Sequence, residues 1–299
     1  MQKVNTYFAI KYGIPLGQGN GYVGFNGNNY NYVSATGKVL WDATANATNK
    51  YNIAGIGYEK CQGLTQKQSQ SIQSGFQPII SLAGIETTNA ANAAIFTADS
   101  SFLIWGNDIG AAAFATTITP PASVSANNRF TRIWKVQETG EIGTVKVAIP
   151  PVGTGGTVYL LHSADATFDA TDTWIPLSNL TIGGINYLAA EVDFNNGDYF
   201  TFATYLAAPG CVAANLNLWL KADSGTSTTT DGQKVANWDN IGSLSVSLIQ
   251  PTAAKQPTYR KNQMNFNRYA KLTQTCTLGN FAVHFLLHSI RHGKAILIV

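Results

Sequence analysis

Charge is what this sequence has least of. Asp, Glu, Lys and Arg make up 12% of its 299 residues, about half the usual globular share of roughly 25%. Asn, Thr, Ser and Gly take their place. A helical cytosolic enzyme needs Glu, Lys and Arg on its exposed helix faces, so the composition argues against one. It suits a β-rich extracellular module, whose strands favour Thr and whose turns favour Asn and Gly. The 45% of hydrophobic residues is ample for a packed core, and the length allows one large domain or two ordinary ones.

Cysteine is equally sparse. Cys61, Cys211 and Cys276 are far apart and form neither a Cys-X-X-Cys pair nor a Cys/His zinc spacing. Their odd number argues against a disulfide framework. No apolar run reaches the ~20 residues of a membrane-spanning helix. Met1-Gln-Lys-Val-Asn5 runs directly into an amphipathic segment, with no basic start followed by an apolar stretch. A secreted reading therefore expects an export signal upstream, in a larger parent chain. The net charge of +3 conceals an imbalance, −3 over residues 1–208 and +6 over 209–299. The basic part lacks a dense Lys/Arg cluster interleaved with aromatics, which excludes a nucleic-acid surface.

What is present is mostly strand and turn. One helix is expected at the start, where Val4, Tyr7, Phe8 and Lys11 share a face, Gly13 takes the C′ position and Pro15 prevents continuation. A Gly/Asn-rich loop follows over residues 17–31. From Tyr32 to Leu206 short strands alternate with turn signals. Arg132, Trp134 and Val136 share one face, and Val145, Val147 and Ile149 alternate with polar or small neighbours before Pro150-Pro151. Residues 157–162 form a near-continuous apolar run, and Asn195-Asn196-Gly197 between residues 191–194 and 198–204 predicts a hairpin. Such spacing predicts an all-β, β-sandwich or jelly-roll-like domain. The division expected is a helix over 1–16, a sandwich over 17–206, a linker over 207–214 and an incomplete second β domain over 215–299. In the last, Leu216, Leu218 and Leu220 alternate with Asn217, Trp219 and Lys221, and residues 235–239 supply a further strand. After Asp239 there is no acidic residue, while seven basic ones occur from Lys255 onward. That imbalance, with an apolar run over 281–299, predicts a truncated or out-of-frame end that cannot close a sheet.

Each candidate for chemistry has a plainer alternative. Glu138 and Glu141 flank Thr139-Gly140, and two acids at a turn can act as a glycosidase pair; solvated turn ends are the simpler reading. Asp165, Asp169 and Asp172 can offer oxygens to calcium, but the spacing is not that of an EF-hand loop, and Asx turns account for it. His284, His288 and His292 stand at i, i+4, i+8 without the Glu of a metalloprotease helix. Gly55-Ile56-Gly57 is followed by Tyr58-Glu59 rather than a helix, so close backbone packing is expected there and not a dinucleotide loop. His162 is the one histidine before the tail and reads as a core residue. Of the tryptophans, Trp41, Trp105, Trp134, Trp174, Trp219 and Trp238, core anchoring is the expectation for each. Trp41 and Trp174, beside Asp-rich or Pro-containing turns, are the best candidates for exposure and for stacking on a ligand. No catalytic residue, metal ligand or cofactor is expected.

Several segments in order carry a family resemblance: Asn5-Thr-Tyr-Phe-Ala-Ile-Lys-Tyr-Gly13, Trp41-Asp42-Ala43, Ile53-Ala-Gly-Ile-Gly57, Gly63-Leu-Thr-Gln-Lys-Gln-Ser69, Phe102-Leu-Ile-Trp-Gly106, Arg132-Ile-Trp-Lys-Val-Gln-Glu138 and Asp198-Tyr-Phe-Thr-Phe202. Over about residues 1–206 they resemble a domain of unknown function from large surface proteins of Bacteroidota. Where that family has Arg-Asp-Asp after Gly-Ile-Gly, this chain has Tyr58-Glu59-Lys60. Leu216-Asn-Leu-Trp-Leu-Lys-Ala-Asp223 with Val235-Ala-Asn-Trp238 resembles the opening of a laminin-G/concanavalin-A-like jelly roll. The resemblance implies export by the type IX route, an extracellular or outer-surface location, and an initial helix connecting from a preceding jelly roll. It also implies an adhesin-like or sugar-contacting role, with glycans, other surface proteins or neighbouring domains as partners. Two functions are thus expected: a non-catalytic structural or adhesive module, and alternatively a carbohydrate-binding module or accessory part of a glycoside hydrolase.

Overall fold

The structure, a computed structural model, describes residues 1–16, 30–152, 156–206, 218–241, 246–264, 266–271 and 297–298. The chain divides into two units. The first comprises residues 1–152 and 156–205, and the second comprises 206–299 with 153–155.

The first unit opens with helix α1, Gln2–Tyr12, which ends where predicted. Gly13 adopts φ 63 and ψ 28 and its amide bonds Ala9 O, the left-handed stop that favours glycine. The strands that follow are antiparallel. They are β1 (Tyr32–Val33), β2 (Val39–Trp41), β3 (Tyr51–Glu59), β4 (Leu64–Gln66), β5 (Gln68–Ser69) and β6 (Ile79–Leu82). Next come β7 (Ser101–Asn107), β8 (Phe114–Thr117), β9 (Asn128–Phe130), β10 (Trp134–Thr139) and β11 (Val145–Ile149). The unit ends with β12 (Val158–Ser163), β13 (Thr173–Pro176), β14 (Ser178–Ile182), β15 (Ile185–Val192) and β16 (Tyr199–Thr204).

They form a β-sandwich. One sheet has nine strands in the order β13-β12-β16-β10-β7-β3-β4, with β9 also on β16 and β8 on β9; the other has five, β14-β15-β11-β6-β5. The predicted alternation of Val145, Val147 and Ile149 holds, and all three are buried. Between the sheets Trp134 stacks on Phe200 at 5.4 Å and meets Phe202 edge-on at 5.6 Å, while Phe130 packs against Phe114 at 4.4 Å. Such aromatic pairs add to the energy of burial.

The turn at Asn195-Asn196-Gly197 corrects the expected hairpin. β15 pairs with β11 and β14, whereas β16 pairs with β12, β10 and β9. The turn therefore carries the chain from one sheet to the other. It is pinned to the larger sheet by two backbone bonds, Val136 N to Asp198 O at 2.8 Å and Gly197 N to Val136 O at 3.2 Å. Thr139-Gly140 likewise links β10 and β11 across the sandwich rather than within a sheet.

A third layer lies outside the larger sheet. Ala9 and Ile10 of α1, Tyr32, Leu40 and Trp41 of the β1–β2 pair, and Ile53, Phe102 and Ile104 form one buried cluster. Glycines make this layer possible. A Cβ on Gly57 would strike the Phe102 ring, one on Gly55 would strike Ile104 Cδ1, and one on Gly106 would strike the Asn49 carbonyl oxygen. The Gly-Ile-Gly stretch thus serves close packing, as expected. The helix, however, buries Thr6, Ala9 and Ile10. Val4 and Phe8 of the expected face stay 56% and 47% exposed. Thr6, Ala9 and Ile10 face the sheet, and the aromatic side chains of the opposite face turn outward, where Phe8 and Tyr12 stack at 6.1 Å. Through Ala9 and Ile10 the helix contributes to the first unit's core.

The second unit builds a small core from Leu220, Val235, Trp238, Leu248 and Tyr259. Trp219 and Leu220 are both buried, so the strict alternation expected there fails. Asn237–Asp239 pairs with Ser247–Ile249, and Thr258–Met264 with Asn267–Lys271. Residues after Asp239 therefore join the core through Leu248 and Tyr259. The linker over 207–214, most of the basic tail and His284, His288 and His292 lie outside the described residues.

Candidate functional site

The outer face of the larger sheet is covered differently at its two ends. At the α1 end it carries the third layer. At the β12–β16 end Leu161 and Ala203 pack under Ala126 and Phe168, with Tyr159, Trp174, Tyr199 and Ile118 half-buried around them. Tyr159 and Trp174 meet edge-on at 6.1 Å, and Lys135 Nζ sits 5.2 Å from the Tyr199 ring centre. Beside this aromatic cluster is an open groove of about 510 Å³ lined by Thr117, Ile118, Thr119, Phe168, Asp169, Ala170 and Thr171.

The loop after β12 shapes that groove through its own carboxylates. Asp165 accepts from Thr167 N at 2.6 Å, and Asp172 accepts from Asp169 N at 2.7 Å. Asp169 Oδ1 accepts from both the amide and the hydroxyl of Thr171 at 2.7 Å, and these bonds hold its carboxyl below the ordinary range. Trp174 Nε1 donates to Asp169 O at 3.1 Å. Asp165 and Asp169 thereby form Asx-type turns, and each of the three acids has one carboxylate oxygen engaged by the loop itself. Arg129 lies over the Phe168 ring at 5.4 Å and its guanidinium is pulled down by burial. Chemically the groove offers hydroxyls, one carboxylate and an apolar floor.

The two tryptophans singled out for exposure part company. Trp41 is wholly buried beneath the third layer, because the β1–β2 pair that carries it packs onto β7 and β10. This agrees with the core anchoring expected of each tryptophan and removes Trp41 as a candidate for stacking on a ligand. Trp174 is half-buried beside the groove, bonded to Asp169 rather than lining it. Trp105, Trp134, Trp219 and Trp238 are buried. Thr117, Thr119, Phe168 and Thr171 were not legible as site residues. Phe168 carried the one signal, a lone aromatic inside a polar turn.

The Glu138–Glu141 pair is occupied with its turn. Glu138 accepts from Ile142 N at 2.8 Å and Glu141 from Gly143 N at 2.9 Å. Burial raises the Glu138 carboxyl above its ordinary value of 4.5, and Glu141, Asp193 and Asp198 push the same way, against the Ile142 bond. An acid raised in the fold is ionised at a cost to stability. That cost is complete above the raised value and absent below the ordinary one. Glu138→Gln keeps an acceptor for Ile142, so it is expected to raise the melting temperature at neutral pH. The gain should vanish as pH falls below about 4.5. A gain unchanged in acid would contradict this.

His162 on β12 meets Asp198 at 2.5 Å and packs edge-on to Phe194 at 5.2 Å. Asp198 Oδ2 also accepts from Asn195 N at 2.7 Å, which ties the crossing turn to β12. Glu59, at the place where the resemblance departs, is buried. Its two oxygens accept from Ala35 N at 3.0 and 3.1 Å, and Gln62 Nε2 donates to it as well. No helix among the described residues is long and apolar enough to cross a membrane.

Residues 1–198 match the family model described as Domain of unknown function (DUF8202). No curated protein and no solved structure matches the chain.

Proposed function

The chain belongs to this family of domains of unknown function, and from that premise we propose that it is a non-catalytic structural or adhesive module of a secreted or cell-surface multidomain bacterial protein. One observation carries the reading. The acids of its turns, Glu138, Glu141, Asp165, Asp169 and Asp172, accept from backbone amides of those same turns. Polar side chains used in this way stiffen the links of a frame, which is what a domain that spaces or presents its neighbours requires. The scarcity of charge and the turn-rich surface fit an extracellular setting. The order of segments fits surface proteins of Bacteroidota exported by the type IX route. The laminin-G-like opening of the second unit fits an adhesin-like parent.

A second reading rests on the groove beside Trp174. An open trough with hydroxyls from Thr117, Thr119 and Thr171, the Asp169 carboxylate and a neighbouring aromatic cluster suits a neutral saccharide. Saccharide binding by the full chain separates the two. The structural reading expects no selective retention, and the second expects retention that Trp174→Ala abolishes.

A further inference from the structure

Sheet edges are templates for pairing, and natural sandwiches blunt them. The first unit blunts most of its own. Beside β4 and β5, Asn89 receives Lys67 N at 2.7 Å and donates to Thr65 O at 2.9 Å, while Gln68 exchanges bonds with Glu86. Strand β13 ends in Pro176, which has no amide to offer. Strand β8 meets β9 through a register shift between Phe114 and Thr116, a local kink.

Strand β14 has none of these devices. Among the described residues it pairs on one side only, with β15, and its residues Ser178, Asn179 and Thr181 are exposed. The β14–β15 turn is Gly183-Gly184, both with positive φ (55 and 83), a two-residue loop of the kind whose flanking residues bond each other. Ile182 and Ile185 are that pair, so along the ladder Asn179 and Thr181 direct their amide and carbonyl groups outward. No charged residue occurs from Thr173 to Ala190. On the outer face beside the edge, Leu180, Ile182 and Tyr187 are half-buried and Ile185 is 61% exposed.

We propose that β14 is a self-association edge, pairing antiparallel with β14 of a second copy of this chain. The chemistry selects that occupant. Outward backbone groups call for an extended strand, and a two-fold axis at Leu180 sets Ser178 opposite Ile182 and Leu180 opposite Leu180, an isologous contact in which each copy meets its own complement. An edge without charge offers nothing to steer a charged partner and nothing to repel an identical one. The pairing joins two five-stranded sheets into one and makes the apolar strips of the two copies continuous. This goes beyond the presenting role and does not depend on it.

The test is sedimentation of the full chain from micromolar to millimolar concentration, alongside Thr181→Pro and Thr181→Lys. Both substitutions give up the exposed bond from Thr181 Oγ1 to Asn186 Oδ1 at 2.9 Å; beyond that, proline removes an outward amide and lysine places a charge on the edge. The wild type is expected to form a dimer, and both variants to sediment as monomers with unchanged circular dichroism. The lysine variant keeps the test valid if proline disturbs folding. A wild type that is monomeric throughout, or a dimer that persists in a folded variant, overturns the proposal.

Discussion

Gly106→Ala is expected to lower the stability of the first unit by about 3 kcal/mol, the upper part of the range for overpacking a well-filled core. The added Cβ would point into the backbone carbonyl oxygen of Asn49, with Ile53 Cγ1 at 3.0 Å and Trp41 Cζ2 at 3.2 Å. A flexible side chain can yield to a methyl group; a carbonyl in the neighbouring turn cannot. Gly106 lies in β7, which is buried along its whole length between β10 and β3, so the strand has nowhere to shift. For a unit of this size about 3 kcal/mol corresponds to roughly 6–12 °C in melting temperature. Gly143→Ala is the comparison. Its φ of 74 carries the left-handed strain, but a Cβ there meets nothing within 4 Å, so the loss should be about 1–2 kcal/mol. Equal losses at the two sites would show that the close approach beneath the third layer is not what holds it.

The second large effect is expected at Glu59. Its carboxylate is 1% exposed and bonds the Ala35 amide with both oxygens. The Ala35 carbonyl in turn accepts from Lys3 Nζ at 2.6 Å, so helix α1, the turn after β1 and the end of β3 meet at one residue. Glu59→Ala leaves the Ala35 amide without its acceptor and opens a void. The expected loss is about 3 kcal/mol, the sum of a charge-assisted bond and an unmet donor. Glu59→Gln, which keeps one acceptor oxygen, should cost about 1 kcal/mol. Denaturant unfolding of the two variants measures both. If alanine and glutamine cost the same, the acceptor role is wrong and size alone matters.

The contrast between these residues and the readable parts of the chain has a physical basis. The Gly13 stop followed by Pro15 was legible because a left-handed cap and a missing amide act locally. So was the alternation of Val145, Val147 and Ile149, since a strand has a period of two whichever sheet it joins. The hairpin at Asn195-Asn196-Gly197 was not, because the same turn chemistry serves a strand that folds back and a strand that crosses to the facing sheet; only Asp198 gripping Val136 and His162 decides. The buried face of α1 departs from its apolar periodicity for a related reason. Apolar periodicity marks Val4 and Phe8, but the glycine floor of β3 and β7 selects Thr6 and Ala9. The groove was half legible. Trp174 stood out beside its Asp-rich turn, while Thr117 at the end of β8 and Thr119 just after it arrive from a part of the chain that sequence spacing does not connect to it. Trp41 shows the limit most clearly, since its neighbour Asp42 marks a turn and says nothing of the layer that covers the ring.

The central claim, a frame whose polar turns serve its own rigidity, is tested most directly by exposing the full chain to a broad glycan array with and without calcium, beside Trp174→Ala. The account predicts that no saccharide is selectively retained under either condition and that the variant behaves as the parent does. Selective retention by the parent that is lost in folded Trp174→Ala would contradict it and make the groove beside β13 a carbohydrate site.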